Sequence, residues 1–109
     1  MEADAAALAA LLEQGDHMEL QRLVLEEPPL IRADVPGYGV TPLCVLCASP
    51  RLEPGDPLAD DLVTCIEVLL AAGARPDQRC GSTTAVALAA RHPDALQLLL
   101  DAGADPPPA

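Results

Sequence analysis

The sequence predicts an all-α chain, and three observations predict it. The apolar half of the 109 residues is mostly Ala, Leu and Val, with no Phe or Trp and with Tyr38 as the sole aromatic. A core without rings is assembled from many thin contacts, which suits close-packed helices, and Ala and Leu are the strongest helix formers among apolar residues. Apolar residues recur at i, i+3, i+4 in stretches that come in pairs, the signature of helices burying one face. Finally, Val68–Ala74 and Leu98–Ala104 are near copies of one another, thirty residues apart.

Each element follows from local signals. Leu8, Leu11 and Leu12 form the first stripe, with Asp4 as its expected N-cap and Gly15 as its stop. Asp16 restarts the helix, and Glu19 completes an Asp-x-x-Glu pattern related to the capping box. Leu20, Leu23 and Val24 carry the second stripe until Pro28-Pro29 ends it. Residues 31–40, centred on Gly37-Tyr38-Gly39, read as a turn or finger. Thr41 is the expected cap of a short third helix, from Pro42 to about Cys47, with Pro at the position where its missing N–H costs nothing. Residues 49–60, rich in Pro and without periodicity, read as an inserted surface loop. Asp60 or Asp61 is the expected cap of the fourth helix, which carries Leu62, Ile66, Leu69 and Leu70 and stops at Gly73. After a turn-rich link, Thr84 caps a helix from Ala85 to about Ala90. Pro93 opens the last one, which bears Leu96, Leu99 and Leu100 and ends at Gly103. The final residues, 106–109, are expected to fray.

The copied segments do not stand alone. Upstream of them lie Gly39-Val-Thr-Pro-Leu-Cys-Val-Leu-Cys47 and Ser82-Thr-Thr-Ala-Val-Ala-Leu-Ala-Ala90. Together they resemble the ankyrin repeat, with its Gly-x-Thr-Pro-Leu turn, Ala-Ala helix end and Leu-Leu-x-x-Gly-Ala stop, at a period near about 33 residues. The first unit fits more loosely, through Ala9-Ala10, Gly15-Asp16 and Leu23-Val24. Two departures stand out. Cys44 replaces the usual His after Thr-Pro-Leu, and Thr84-Ala85 replaces Thr-Pro. The resemblance implies one domain, 1–109, folded as a helical solenoid of about three helix-turn-helix units. Repeat 1 spans about 4–34, repeat 2 about 35–77 with the inserted loop 49–60, and repeat 3 about 78–105. Stacking suits such units, since no single helix pair buries its own stripe.

Charge narrows the functions. Seventeen acidic against six basic residues give a formal charge of −11, which repels phosphate backbones and anionic membranes. Nucleic acid and membrane partners are therefore excluded from the expectation. No apolar run approaches the ~20 residues of a spanning helix, and Met1-Glu2-Ala3-Asp4 lacks the basic start of a secretory signal. The expected compartment is the cytosol, or the nucleus in a eukaryotic source, with Cys44, Cys47, Cys65 and Cys80 held as thiols.

Cys44-Val45-Leu46-Cys47 is a single CxxC, compatible with a zinc or redox role. Its neighbours are apolar, and free Cys commonly serves as a small core residue. Buried thiols are therefore expected, with no metal and no cofactor. His17 and His92 read as solvated turn residues, since neither has a nucleophile at motif spacing. Asp60-Asp61 suits a helix start, and Glu26-Glu27 is a solvated edge. The expectation is a chain without catalysis. Tyr38 stands apart: in a glycine-flanked turn its ring is either a recognition anchor or folded over its own finger.

The resemblance implies an adaptor that binds another protein through finger tips and the groove beside the first helices. Carried over by position, the contact residues are Gly37, Tyr38 and Val40 in one finger and Arg79, Cys80 and Gly81 in the next. The helix ends add Glu13, Gln14, Ala48, Ser49, Arg91 and His92. Arg79 and Arg91 in an otherwise acidic chain predict a groove of mixed charge. The last helix, with Ala95 and Leu98 beside its inward Leu96, Leu99 and Leu100, is expected to be a sticky end that packs on a partner or, by self-association through the C-terminal repeat, on a second copy.

Overall fold

The computed structural model describes residues 2–105 of the chain, with side chains from residue 7. Six α-helices dominate: α1 (Glu2–Gln14), α2 (His17–Glu26), α3 (Pro42–Cys47), α4 (Ala59–Ala71), α5 (Ala85–Ala89) and α6 (Pro93–Asp101). Two two-residue strands, β1 (Arg79–Cys80) and β2 (Thr83–Thr84), pair antiparallel with Arg79 opposite Thr84 and Cys80 opposite Thr83. The chain is mostly helical, as expected, and the small ladder is a local addition. It is a finger closed by two residue pairs, too short to form a layer.

The helices pack in consecutive pairs, α1 on α2, α3 on α4 and α5 on α6. They also form two rows, since α1 touches α3 and α3 touches α5, while α2 touches α4 and α4 touches α6. The molecule measures 42 × 26 × 23 Å. A single apolar cluster runs through it, from Leu8 and Leu12 by way of Leu43, Leu46, Leu62, Ile66 and Leu69 to Leu99. None of these is more than 1% exposed. Aliphatic burial of this kind contributes about 25 cal/mol per Å² removed from water.

The copied Leu-Leu-x-x-Gly-Ala segments build one device twice. Gly73 and Gly103 adopt φ of +107° and +112°, a region that costs glycine little because it has no Cβ. In each, the glycine N–H donates to the carbonyl three residues back, Leu70 or Leu100, at 3.1 Å. The following Ala N–H donates to Leu69 or Leu99 at 3.0 Å. This is the Schellman closure, which satisfies carbonyls that a helix end leaves open. Gly15 serves a second purpose: a Cβ there would lie 2.9 Å from Asp61 Cβ, so its smallness lets the α1–α2 hinge approach α4.

Several local expectations are corrected. Helix α1 is already running at Asp4, so Asp4 is not its cap. The Pro28-Pro29 pair ends α2 but opens a 3-10 helix, Pro28–Arg32, which buries Ile31. Helix α4 starts at Ala59, one residue before Asp60, and both aspartates lie in its first turn. The Asp56 carboxylate instead receives the Leu58 N–H at 2.8 Å. Loop 49–60 is pinned, because Leu52 is fully buried and Arg51 pairs with Asp56 at 3.0 Å. On α6, Ala95 faces inward and is fully buried, while Leu96, Leu98 and Leu100 are half-buried. The fraying expected of 106–109 lies outside the described residues. No helix among the described residues is long and apolar enough to cross a membrane.

Candidate functional site

The first finger is a short loop held at its base. Val35 N–H donates to the Val40 carbonyl at 2.8 Å, and the Tyr38 and Gly39 N–H groups both reach the Val35 carbonyl. Val35 is buried and anchors the loop, leaving Pro36, Gly37 and Tyr38 exposed at the tip. The Tyr38 ring does not fold over its own finger. It reaches across to α1, where its hydroxyl donates to the Glu13 carboxylate, and it stays 43% exposed. That hydrogen bond pushes the phenol above its ordinary pKa, keeping Tyr38 a neutral donor.

Between this finger and the start of loop 49–60 lies an open groove of about 510 Å³. Leu12, Val40 and Val45 give it an apolar surface; Glu13 and Tyr38 line it together with Ala48, Ser49, Pro50 and Arg51. Five residues assigned by sequence position therefore meet here: Glu13, Tyr38, Val40, Ala48 and Ser49. Gln14 is exposed at the end of α1 but does not line the groove. Pro50 and Arg51 were missed, because a loop without periodicity gives no sign of which residues turn toward a neighbouring helix.

Arg91 is exposed, yet its guanidinium donates to the Cys47 carbonyl at 2.9 Å and to the Ser49 carbonyl. A cation there satisfies carbonyls at the end of α3 and suits the negative end of the helix dipole. His92 is corrected from a solvated turn residue to a buried one, only 5% exposed. Its Nδ1 accepts the Ala95 N–H at 3.4 Å and caps α6. It offers a partner little surface.

The second finger, 79–84, holds Arg79 and Gly81 in the open, but Cys80 is half-buried and bonded to Cys44 in a disulfide. This overturns the expectation of four thiols and the pairing of Cys44 with Cys47. The two bonded residues are 36 positions apart, with Cα atoms 5.5 Å from one another. Only a tertiary contact between the second finger and α3 brings them together, so no local spacing signals it. Cys47 and Cys65 remain thiols in the core, and burial pushes both up to about 12.

No protein-family model, curated protein or solved structure matches the chain. The site stands on its own geometry. Among the described residues, no three His, Cys, Asp or Glu side chains gather as metal ligands would. His17 lies 4.0 Å from Asp61, both partly exposed. Thr41 does not cap α3 with its side chain; its hydroxyl donates to Gln78 Oε1 at the base of the second finger.

Proposed function

We propose that the chain is a small ankyrin-type solenoid of about three repeats that acts as an adaptor, binding another protein and catalysing nothing. The two rows of paired helices and the repeated Leu-Leu-x-x-Gly-Ala closures support the fold reading. One observation carries the functional reading: a finger-tip tyrosine and the residues after α3 line one apolar groove with a carboxylate at its edge. Tyrosine suits such a place because it offers a large contact area with few rotors to immobilise. The partner is a protein, the setting is cytosolic, and neither nucleic acid, membrane, metal nor cofactor takes part.

The alternative, metal or redox sensing through Cys44 and Cys47, loses its geometry to the Cys44–Cys80 bond. Self-association through the C-terminal repeat is also less well supported. The large exposed apolar side chains among the described residues are Met18, Leu25 and Tyr38, none of them on α6.

The test is affinity capture with the full chain, followed by titration of each captured protein against the wild type and Tyr38→Ala. The expected result is at least about a tenfold loss of affinity, the range of a hot-spot residue, with the helical circular dichroism unchanged. Equal affinity for a confirmed partner removes the groove from the proposal.

A further inference from the structure

We propose that Cys44–Cys80 is a thiol–disulfide exchange site, opened by dithiol reductants, which controls how firmly the second finger is held. The bond joins two pieces of unequal strength. Cys44 lies on α3, whose six residues are all buried, whereas Cys80 lies on a ladder of two residue pairs. A hairpin of that size has little stability of its own. The cross-link is therefore the main covalent hold on the finger, and Arg79 and Gly81 beside it are residues the adaptor reading assigns to partner contact.

The surroundings accommodate both redox states. Cys44 Sγ lies 3.6 Å from Gln78 Oε1 and 3.5 Å from the Arg79 carbonyl oxygen, two acceptors in place for an S–H. The Thr41 hydroxyl oxygen lies 3.4 Å from the sulfur, with its proton given to Gln78. Reduction thus leaves a Cys44 thiol with partners rather than an orphaned polar group. Access is one-sided, because Cys44 is 1% exposed while Cys80 is half-buried at the finger.

The exchange runs as a two-electron transfer. One thiolate of the dithiol attacks Cys80 Sγ, the Cys44–Cys80 bond breaks, and Cys44 leaves as a thiolate that takes a proton from solvent. The second thiol of the reductant, deprotonated, then attacks the mixed disulfide, forming the reductant's own disulfide and releasing Cys80, which is protonated in turn. The protein gains two hydrogens and the dithiol loses two. Cys47 does not intercept the reaction, since its thiol is fully buried and held protonated by its surroundings. Disulfides in cytosolic proteins are typically transient, catalytic or redox-sensing, which fits a bond built to open.

The experiment uses the full chain, dithiothreitol as the dithiol and maleimide labelling read by intact mass and peptide mapping. Before reductant, no thiol reacts in the folded chain and the two free cysteines react after unfolding. After dithiothreitol under native conditions, Cys80 labels rapidly, all four cysteines label on unfolding, and the helical circular dichroism is retained. Amide exchange in 78–85 rises at least about tenfold while α4 stays protected, the signature of local opening. The variant Cys80→Ser folds and shows that fast exchange with or without reductant. Four reactive thiols in the unfolded chain before any reductant overturn the proposal. So does a bond that dithiothreitol opens only in denaturant, or a loss of helical signal on reduction, which marks the bond as a structural staple.

Discussion

The two fingers begin from similar sequence and are held by opposite means. Finger 35–40 closes on the buried Val35 and leads into α3, whose six residues are all buried. Its Thr41 hydroxyl makes no cap bond and is turned to Gln78 of the other finger. Finger 79–84 leads into α5, which buries only Ala85, Val86 and Ala89. There Thr84 does cap, accepting the Ala87 N–H at 3.1 Å, and a disulfide adds a second hold. Burial replaces capping at α3, and capping with cross-linking replaces burial at α5. The well-buried unit can leave its finger tip open and give it Tyr38.

The strongest test of that contrast is to remove core volume from each helix. Leu46 on α3 is fully buried, and Leu46→Ala is expected to cost about 2–5 kcal/mol. Val86 on α5 is 5% exposed, and Val86→Ala removes two methyl groups worth about 1.5 kcal/mol together. Urea denaturation of both variants measures the difference. A larger loss at Val86 would make α5 the better-packed helix.

Alkaline pH gives an effect of comparable size, centred on the middle helices. Burial raises the thiols of Cys47 on α3 and Cys65 on α4 from 9.0 to about 12. The folded chain keeps both protons where the unfolded chain releases them, so the stabilising contribution is full below pH 9. It is lost as pH rises toward 12, by up to about 1.4 kcal/mol per pH unit for each thiol. The sequence contains no Lys, so few other groups titrate there, and Tyr38 shifts in the same direction. Stability measured from pH 8 to 11 is expected to fall steeply, and Cys47→Ala with Cys65→Ala is expected to flatten the slope. An unchanged slope in the double variant means the thiols are solvated in the native state.

Much of the fold was legible because its signals are local. The bounds of α3 follow from Thr41-Pro42 at one end and Ser49-Pro50 beyond the other, and the structure has α3 at Pro42–Cys47. Gly15, Gly73 and Gly103 mark the ends of α1, α4 and α6 because positive φ selects glycine. What escaped was decided elsewhere in the chain. Asp60 and Asp61 satisfy the helix dipole anywhere in the first turn, so their charge does not fix the first residue. His92 and Arg91 are adjacent in sequence, yet one is buried against α6 and the other reaches carbonyls 44 and 42 residues away. Just over half of the groove was visible in Glu13, Tyr38, Val40, Ala48 and Ser49. The remainder depends on how loop 49–60 folds around Leu52, which no periodicity encodes.

The hydroxyls at the bases of the two fingers carry the smallest effects. Thr84→Val removes a cap bond and is expected to cost about 1 kcal/mol, whether or not Gln78 is present. Thr41→Val keeps the branched shape and loses only the hydroxyl that reaches Gln78. It is expected to cost about 0.5 kcal/mol, at the low end for a neutral hydrogen bond, and nothing further in a Gln78→Ala background. A double-mutant cycle in urea separates the two cases, since coupled neighbours depart from additivity and independent sites do not. Additive losses at Thr41 and Gln78 would mean that the hydroxyl carries no energy between the fingers. Helices α3–α4 and α5–α6 would then be joined by apolar contact, the Arg91 bonds and the disulfide alone.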